Sequence, residues 1–170
     1  MVTFSLFRRV MRVRLGLCLV GVAAIIVLLG GCSKGEPETR SKKIKEGNLE
    51  LSIAVRKGDL KAGKKTPITI KAENVGREIE FLHFGTEQRY DLEVKDSKDK
   101  PVWRWSQGRF FGLVLTEIKL EPEESDDYDV VWSLKDAAGN QIPPGKYTLT
   151  ANMTADELPK TVSIDVQVVK

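Results

Sequence analysis

Leu49-Glu50-Leu51-Ser52-Ile53-Ala54-Val55-Arg56 decides the fold class. Successive side chains of an extended chain point to opposite sides. Leu49, Leu51, Ile53 and Val55 therefore share one apolar face, and Glu50, Ser52, Ala54 and Arg56 share the other. The same period of two returns downstream. Ile68, Ile70 and Ala72 alternate with Thr69 and Lys71, and Tyr90, Leu92 and Val94 alternate with Asp91, Glu93 and Lys95. Tyr128, Val130 and Trp132 follow the rule, as do Tyr147, Leu149, Ala151 and Met153, then Val162, Ile164, Val166 and Val168. Such alternation marks half-buried strands. Turn-forming clusters separate the runs: Lys57-Gly58-Asp59, Asn74-Val75-Gly76, Asp96 to Pro101, Ala138-Gly139-Asn140 and Pro143-Pro144-Gly145. No long helical pattern is present. Short strands at this spacing predict an all-β chain, an immunoglobulin-like antiparallel β-sandwich over residues 49–170.

Upstream of the strands the composition changes twice. Arg8, Arg9, Arg12 and Arg14 form a basic start with no acidic residue in the first 31 positions, followed by an apolar stretch from Leu15 to Leu29 and then Gly30-Gly31-Cys32. Charge, apolar stretch and small residues at the cut are the order of a secretory signal. The apolar stretch is short for a membrane span, which needs about 20 residues. Leu29-Gly30-Gly31-Cys32 resembles the bacterial lipobox, where the cysteine thiol receives a diacylglyceryl group and cleavage just before it makes the cysteine residue one. The expectation is a lipoprotein signal peptide at 1–31 and lipidation at Cys32. Acyl chains contribute about 0.8 kcal/mol per buried methylene, so the anchor would hold the protein at the extracytoplasmic face of the cell membrane. Residues 32–48 are highly charged and almost free of apolar side chains. They read as the lipidated Cys32 followed by a flexible tether.

Removing the signal also removes the basic character. The full chain has 27 Lys+Arg and 24 Asp+Glu; without the four signal arginines 23 basic residues face 24 acidic ones. The charge balance thus gives no argument for nucleic acid as a partner. Cys18 falls within the signal and Cys32 is consumed by lipid, so the domain has neither a free thiol nor a disulfide and depends on its core.

Two segments carry a family resemblance. Gln88-Arg89-Tyr90-Asp91-Leu92-Glu93-Val94 is followed by Val102-Trp103-Arg104-Trp105-Ser106-Gln107-Gly108-Arg109-Phe110-Phe111. Leu120-Glu121-Pro122-Glu123-Glu124, Tyr128, Trp132 and Ile142-Pro143-Pro144-Gly145-Lys146-Tyr147 come after them. This order resembles the BsuPI family, the domain named for an intracellular proteinase inhibitor of Bacillus. The likeness spans roughly residues 49–155. Its most specific elements are Tyr90-Asp91 and Val102-Trp103-Arg104-Trp105-Ser106. The resemblance implies an immunoglobulin-like sandwich and inhibition of a subtilisin-like serine protease. With an export signal present, that target would lie outside the cytoplasmic membrane.

The candidate partner-binding residues are Trp103, Trp105, Arg109, Phe110, Phe111, Pro143 and Pro144. Trp103 and Trp105, two apart, are expected on one strand face with Arg104 on the other. One of the pair suits the space between two sheets. The other, with Phe110 and Phe111 across the Ser106–Arg109 turn, makes an aromatic contact patch with Arg104 and Arg109 at its rim, and aromatic and Arg side chains are the usual interface anchors. Pro143 and Pro144 stiffen their loop, which reduces the entropy lost on binding; the same loop also serves to deliver Tyr147 into a strand. The acidic run Glu121 to Asp127 lacks the ligand spacing of a calcium loop and reads as a solvated turn.

Enzyme chemistry finds little support, and nothing singles out a carboxylate pair for a hydrolase. His83 is the single histidine and is expected to pack on a strand among Phe81, Leu82 and Phe84. No HExxH, GxSxG or P-loop motif occurs, and neither a cofactor nor a metal is expected. Two functions follow: a tethered protease inhibitor, or an immunoglobulin-like binding module for an envelope protein or the cell wall. Replacing Cys32 with Ala is expected to abolish lipid labelling and leave an uncleaved precursor. Persistent labelling, or a mature N-terminus other than residue 32, contradicts the lipoprotein assignment.

Overall fold

The alternating segments pair into two facing sheets. The structure is a computed structural model that describes residues 38–158 and 161–170. The signal peptide at 1–31, the lipidation site Cys32 and the first part of the tether lie outside the described residues. The first sheet has the order β1-β2-β4-β9, from β1 Thr39–Glu46, β2 Leu49–Arg56, β4 Thr66–Asn74 and β9 Ser125–Trp132. The second has the order β3-β11-β10-β6-β7, from β3 Leu60–Lys61, β11 Thr161–Val169, β10 Gly145–Met153, β6 Tyr90–Asp96 and β7 Pro101–Arg104. A separate two-stranded antiparallel sheet pairs β5 Glu80–Phe84 with β8 Thr116–Leu120. Every pairing is antiparallel except the short β3–β11 contact. The protein is an all-β, immunoglobulin-like sandwich.

The core forms where the apolar faces meet. Leu51, Ile53, Ile68, Ile70 and Trp132 come from the first sheet; Leu92, Val94, Leu149, Ile164 and Val168 come from the second. All are buried in one continuous cluster. Fully burying an aliphatic side chain stabilises by about 1.5–3 kcal/mol, so the core accounts for a fold without disulfides. The Pro143-Pro144 loop does deliver Tyr147: its hydroxyl donates to the Pro143 carbonyl at 2.8 Å, and its ring meets the edge of Trp132 at 6.2 Å.

The tether reading fails over residues 39–46. β1 pairs with β2 from Thr39↔Arg56 to Glu46↔Leu49. The reversal takes only Gly47 and Asn48, and Gly47 adopts φ +58°, a conformation that glycine enters without a Cβ penalty. The segment has little apolar surface to bury. Its strand instead rests on backbone hydrogen bonds to β2 and on charge pairs, Lys43 with Glu50 and Lys57 with Glu38, each at 2.7 Å. A lysine-rich strand suits this edge position, because charge discourages further strand addition.

A polar anchor sets the β5–β8 pair against the first sheet. Asn74 ends β4 fully buried; its side-chain amide donates to the carbonyls of Glu78 at 2.7 Å and Leu120 at 3.0 Å. Its Oδ1 accepts from the Gly76 N–H at 2.9 Å. A Cβ at Gly76 would stand 2.5 Å from Asn48, so the turn there admits no larger residue without a shift. The β5–β8 pair thereby holds the C-terminal end of the long β7–β8 connection, which carries most of the candidate site.

Candidate functional site

Asp91 begins the site. Alternation along β6 places this residue on the outer face, yet it is 2% exposed. A buried carboxylate needs donors, and the turn after β7 supplies them. The Ser106 N–H donates to Oδ1 at 3.1 Å, while the Ser106 hydroxyl and Arg104 Nε donate to Oδ2 at 2.7 and 2.5 Å. The Leu92 N–H adds a fourth bond at 2.9 Å. Arg104 is thus spent on Asp91 and does not rim an aromatic patch, contrary to the expectation from sequence. A register shift in the β6–β7 pairing falls between Val94 and Lys95, at the start of β7, and leaves Glu93↔Arg104 paired in register.

Trp103 and Trp105 both turn toward the aromatic side chains of β9, as their spacing predicts, but they join different clusters. Trp103 lies 6.4 Å from Trp132, which in turn meets Tyr147. Trp105 packs at a tilt against Tyr90, with ring centroids 4.4 Å apart, and Tyr90 lies 4.8 Å from Tyr128. Both indoles are half-buried and packed on the core. Pro143, bonded to Tyr147, belongs with the Trp103 cluster; Pro143 and Pro144 are exposed turn residues. Phe111 belongs with the Trp105 cluster. The candidate residues therefore fall into two groups, one around Trp103 and Tyr147 and one around Trp105.

The loop from Trp105 to Leu115 is held at its base and open at its tip. Trp105 to Gly108 make a turn closed by the Arg109 N–H donating to the Ser106 carbonyl at 3.0 Å, with Gly108 at φ +76°. Residues 109–115 then run without strand or turn structure. Arg109 folds back: its guanidinium lies over the Trp105 ring at 4.3 Å and its Nε donates to the Trp105 carbonyl at 2.8 Å. Phe111 stacks on the same ring at 5.8 Å. Gly112 and Glu87 exchange bonds, with the Glu87 N–H donating to the Gly112 carbonyl and the Gly112 N–H donating to Glu87 Oε2, both at 3.0 Å.

Against this base, Phe110 is 98% exposed, Leu113 89% and Leu115 88%. Sequence reading missed Leu113, Val114 and Leu115. The signal was present: this apolar run does not alternate and directly follows Gly112, so it fits no half-buried strand. Scattered exposed apolar residues need no explanation, whereas Phe110, Leu113 and Leu115 all project from one short loop.

His83 corrects another expectation. It is not packed among its apolar neighbours but lies at the surface of β5, facing Glu117 on the paired strand β8. Nε2 stands 3.0 Å from Glu117 Oε2 and Nδ1 2.6 Å from Glu157 Oε1; the His83 N–H also donates to Glu157 Oε2 at 3.0 Å. A neutral imidazole has one N–H, and ionised carboxylates only accept. Both ring contacts are hydrogen bonds only when His83 is charged. Its partners, Glu157 first and Glu117 next, hold its pKa above the ordinary 6.5. Burial works to raise Glu157, but the His83 N–H and ring outweigh it and hold that carboxyl below 4.5. A concavity of about 320 Å³ lies against His83, Glu117 and Leu115, at the C-terminal end of the loop. Among the described residues no group of three His, Cys, Asp or Glu side chains is placed to hold a metal ion.

Fold and site together define a β-sandwich that presents an apolar, clamped loop. The BsuPI family, described as intracellular proteinase inhibitor, matches residues 50–158, and the chain belongs to it. A comparison with curated proteins gives no match. Among solved structures, the C-terminal domain of wzt is 11% identical, with 79% of this chain and 80% of that chain covered at a TM-score of 0.44. A β-glucosidase from Listeria innocua in complex with glucose is 10% identical over 78% of this chain at 0.39. The chain spans 16% of that enzyme's length. The alkylpurine DNA glycosylase AlkC of Pseudomonas fluorescens, bound to DNA containing an abasic site analog, is 10% identical over 68% of this chain and 28% of its own at 0.40. None of these scores reaches 0.5.

The His83 pair has a defined pH window. A raised histidine pKa stabilises the fold fully below 6.5 and loses that contribution as pH rises through the raised value. A lowered Glu157 stabilises above 4.5 and loses its contribution as pH falls. The unfolding midpoint of His83→Gln is therefore expected to fall furthest below wild type near about pH 5.5, and the gap to narrow by about pH 8.5. A gap that stays constant across this range contradicts the pairing.

Proposed function

We propose that the protein is a membrane-tethered, extracytoplasmic inhibitor of a subtilisin-like serine protease, and that the Trp105–Leu115 loop makes the contact. Family membership supports inhibition. The clamped, apolar loop carries the assignment to this surface: its base is fixed through Trp105 and Glu87 while Phe110, Leu113 and Leu115 face solvent. A segment already held in place loses little ordering entropy on binding, where each freshly immobilised side chain costs about 0.5–1.5 kcal/mol. The exposed Pro143-Pro144 turn is a secondary candidate contact.

The Gly30-Gly31-Cys32 sequence supports the anchor. With Thr39 already in β1, residues 33–38 are what separates Cys32 from the sandwich in sequence. Six residues reach at most about 21 Å. A protease facing this membrane is then the natural target, and tethering raises its effective concentration.

The test is a titration of an exported subtilisin-like protease with the purified chain. Reversible, active-site-directed loss of peptidase activity at stoichiometric or low micromolar concentration is the expected result. Full activity at high micromolar concentration across a panel of such proteases refutes inhibition, and the domain is then a binding module for an envelope protein or the cell wall.

A further inference from the structure

Arg109, Phe110 and Phe111 are consecutive, yet Trp105 treats them differently. The Arg109 guanidinium lies over the indole at 4.3 Å, and Phe111 stacks on it at 5.8 Å with the ring planes 27° apart. One residue further on, the two 3.0 Å bonds with Glu87 fix Gly112. A Cβ at Gly112 would lie 3.0 Å from the Glu87 carboxylate, so this close approach favours glycine. Phe110 sits between the held positions and is 98% exposed. A phenylalanine ordinarily buries most of its ring. Here the residues on both sides of it occupy the available platform, and one aromatic side chain projects alone from a segment fixed before and after it.

A serine protease reads its substrate largely through one side chain in a primary pocket. An acidic pocket takes Arg or Lys, and an apolar slot takes an aromatic ring. Sequence offers either chemistry at this tip, because Arg109 and Phe110 are adjacent. The geometry separates them: the Arg109 charge is committed to the Trp105 ring and carbonyl, and Phe110 touches no platform of its own. Resting on the inhibitor reading above, we infer that Phe110 fills the primary specificity pocket of the target protease, and that this pocket is apolar rather than acidic. Phe110 then decides which proteases the domain blocks, and the Trp105 and Glu87 contacts act as positioning groups that hold it out.

The test sets the purified full chain against two serine proteases, one with an apolar and one with an acidic primary pocket. Wild type is expected to inhibit the first. Truncating a pocket-filling aromatic at an interface weakens affinity about thirtyfold or more, so Phe110→Ala should do so with an unchanged unfolding midpoint. Phe110→Lys should lose the first protease and gain the second. If wild type inhibits and Phe110→Ala inhibits equally well, the inference is overturned while the inhibitor reading stands. Preference of wild type for the acidic-pocket enzyme overturns it too, as does a Phe110→Lys variant that gains nothing against that enzyme. If wild type inhibits neither, the inhibitor reading fails and takes the inference with it.

Discussion

The buried carboxylate of Asp91 is the constraint on which the site depends. An ionised group taken out of water is costly unless it is paired and hydrogen-bonded. Asp91 is satisfied by Arg104 Nε, the Ser106 hydroxyl and N–H, and the Leu92 N–H. Three of those four bonds reach from β6 to the chain leaving β7. They fix where β7 ends and where the Trp105 turn begins. The Trp105 N–H, donating to the Leu92 carbonyl at 2.9 Å, fastens the same corner. Leaving the carboxylate or its donors unpaired would cost a few kcal/mol, a large fraction of the stability of a small domain.

From this corner the aromatic contacts spread in two directions. Tyr90 and Tyr128 carry Trp105 onto β9, so the loop base is continuous with the packing between sheets. Trp103, Trp132 and Tyr147 make the second cluster, and the Trp132 Nε1–H is satisfied by the Lys135 carbonyl at 3.1 Å. Aromatic pairs add about 0.5–1.5 kcal/mol each beyond the area they bury. One cluster stabilises the platform for Arg109 and Phe111. The other stabilises the turn that carries Pro143 and Pro144. The long β7–β8 connection is thus rigid where it meets the sandwich and apolar where it meets solvent.

Period-two alternation made β2, β4, β6, β9, β10 and β11 legible, because in each of them one face lies on the core. It was silent on β1, whose strand rests on edge hydrogen bonds and charge pairs; the only local signal was the Gly47-Asn48 dipeptide, a hairpin turn pair. It misplaced Asp91, since alternation separates core from solvent and does not register a polar group buried by its own donors. His83 was judged by its apolar neighbours instead; a period of two puts Leu82 and Phe84 on the core face and His83 on the other, and the glutamates that hold it come from β8 and from the chain after β10, at sequence separations of 34 and 74. The resemblance motifs fared better. Tyr90-Asp91 and Arg104-Trp105-Ser106 are the two halves of a single structural knot, Tyr90 packing at a tilt against Trp105 and Asp91 binding Arg104 and Ser106. The most specific residues of the family likeness hold the base of the loop, and the solvent-facing Phe110, Leu113 and Leu115 follow just after them.

Amide hydrogen exchange at Ser106 tests this account most directly. If Asp91 holds the turn, the Ser106 amide should exchange slowly in the wild-type protein, like the amides of β6. In Asp91→Ala it should exchange quickly, together with the Arg109 amide, while Leu149 in the core of β10 stays protected. A Ser106 amide that exchanges at open-loop rates in the wild type, or that keeps its protection without the carboxylate, would contradict the claim that Asp91 sets the loop.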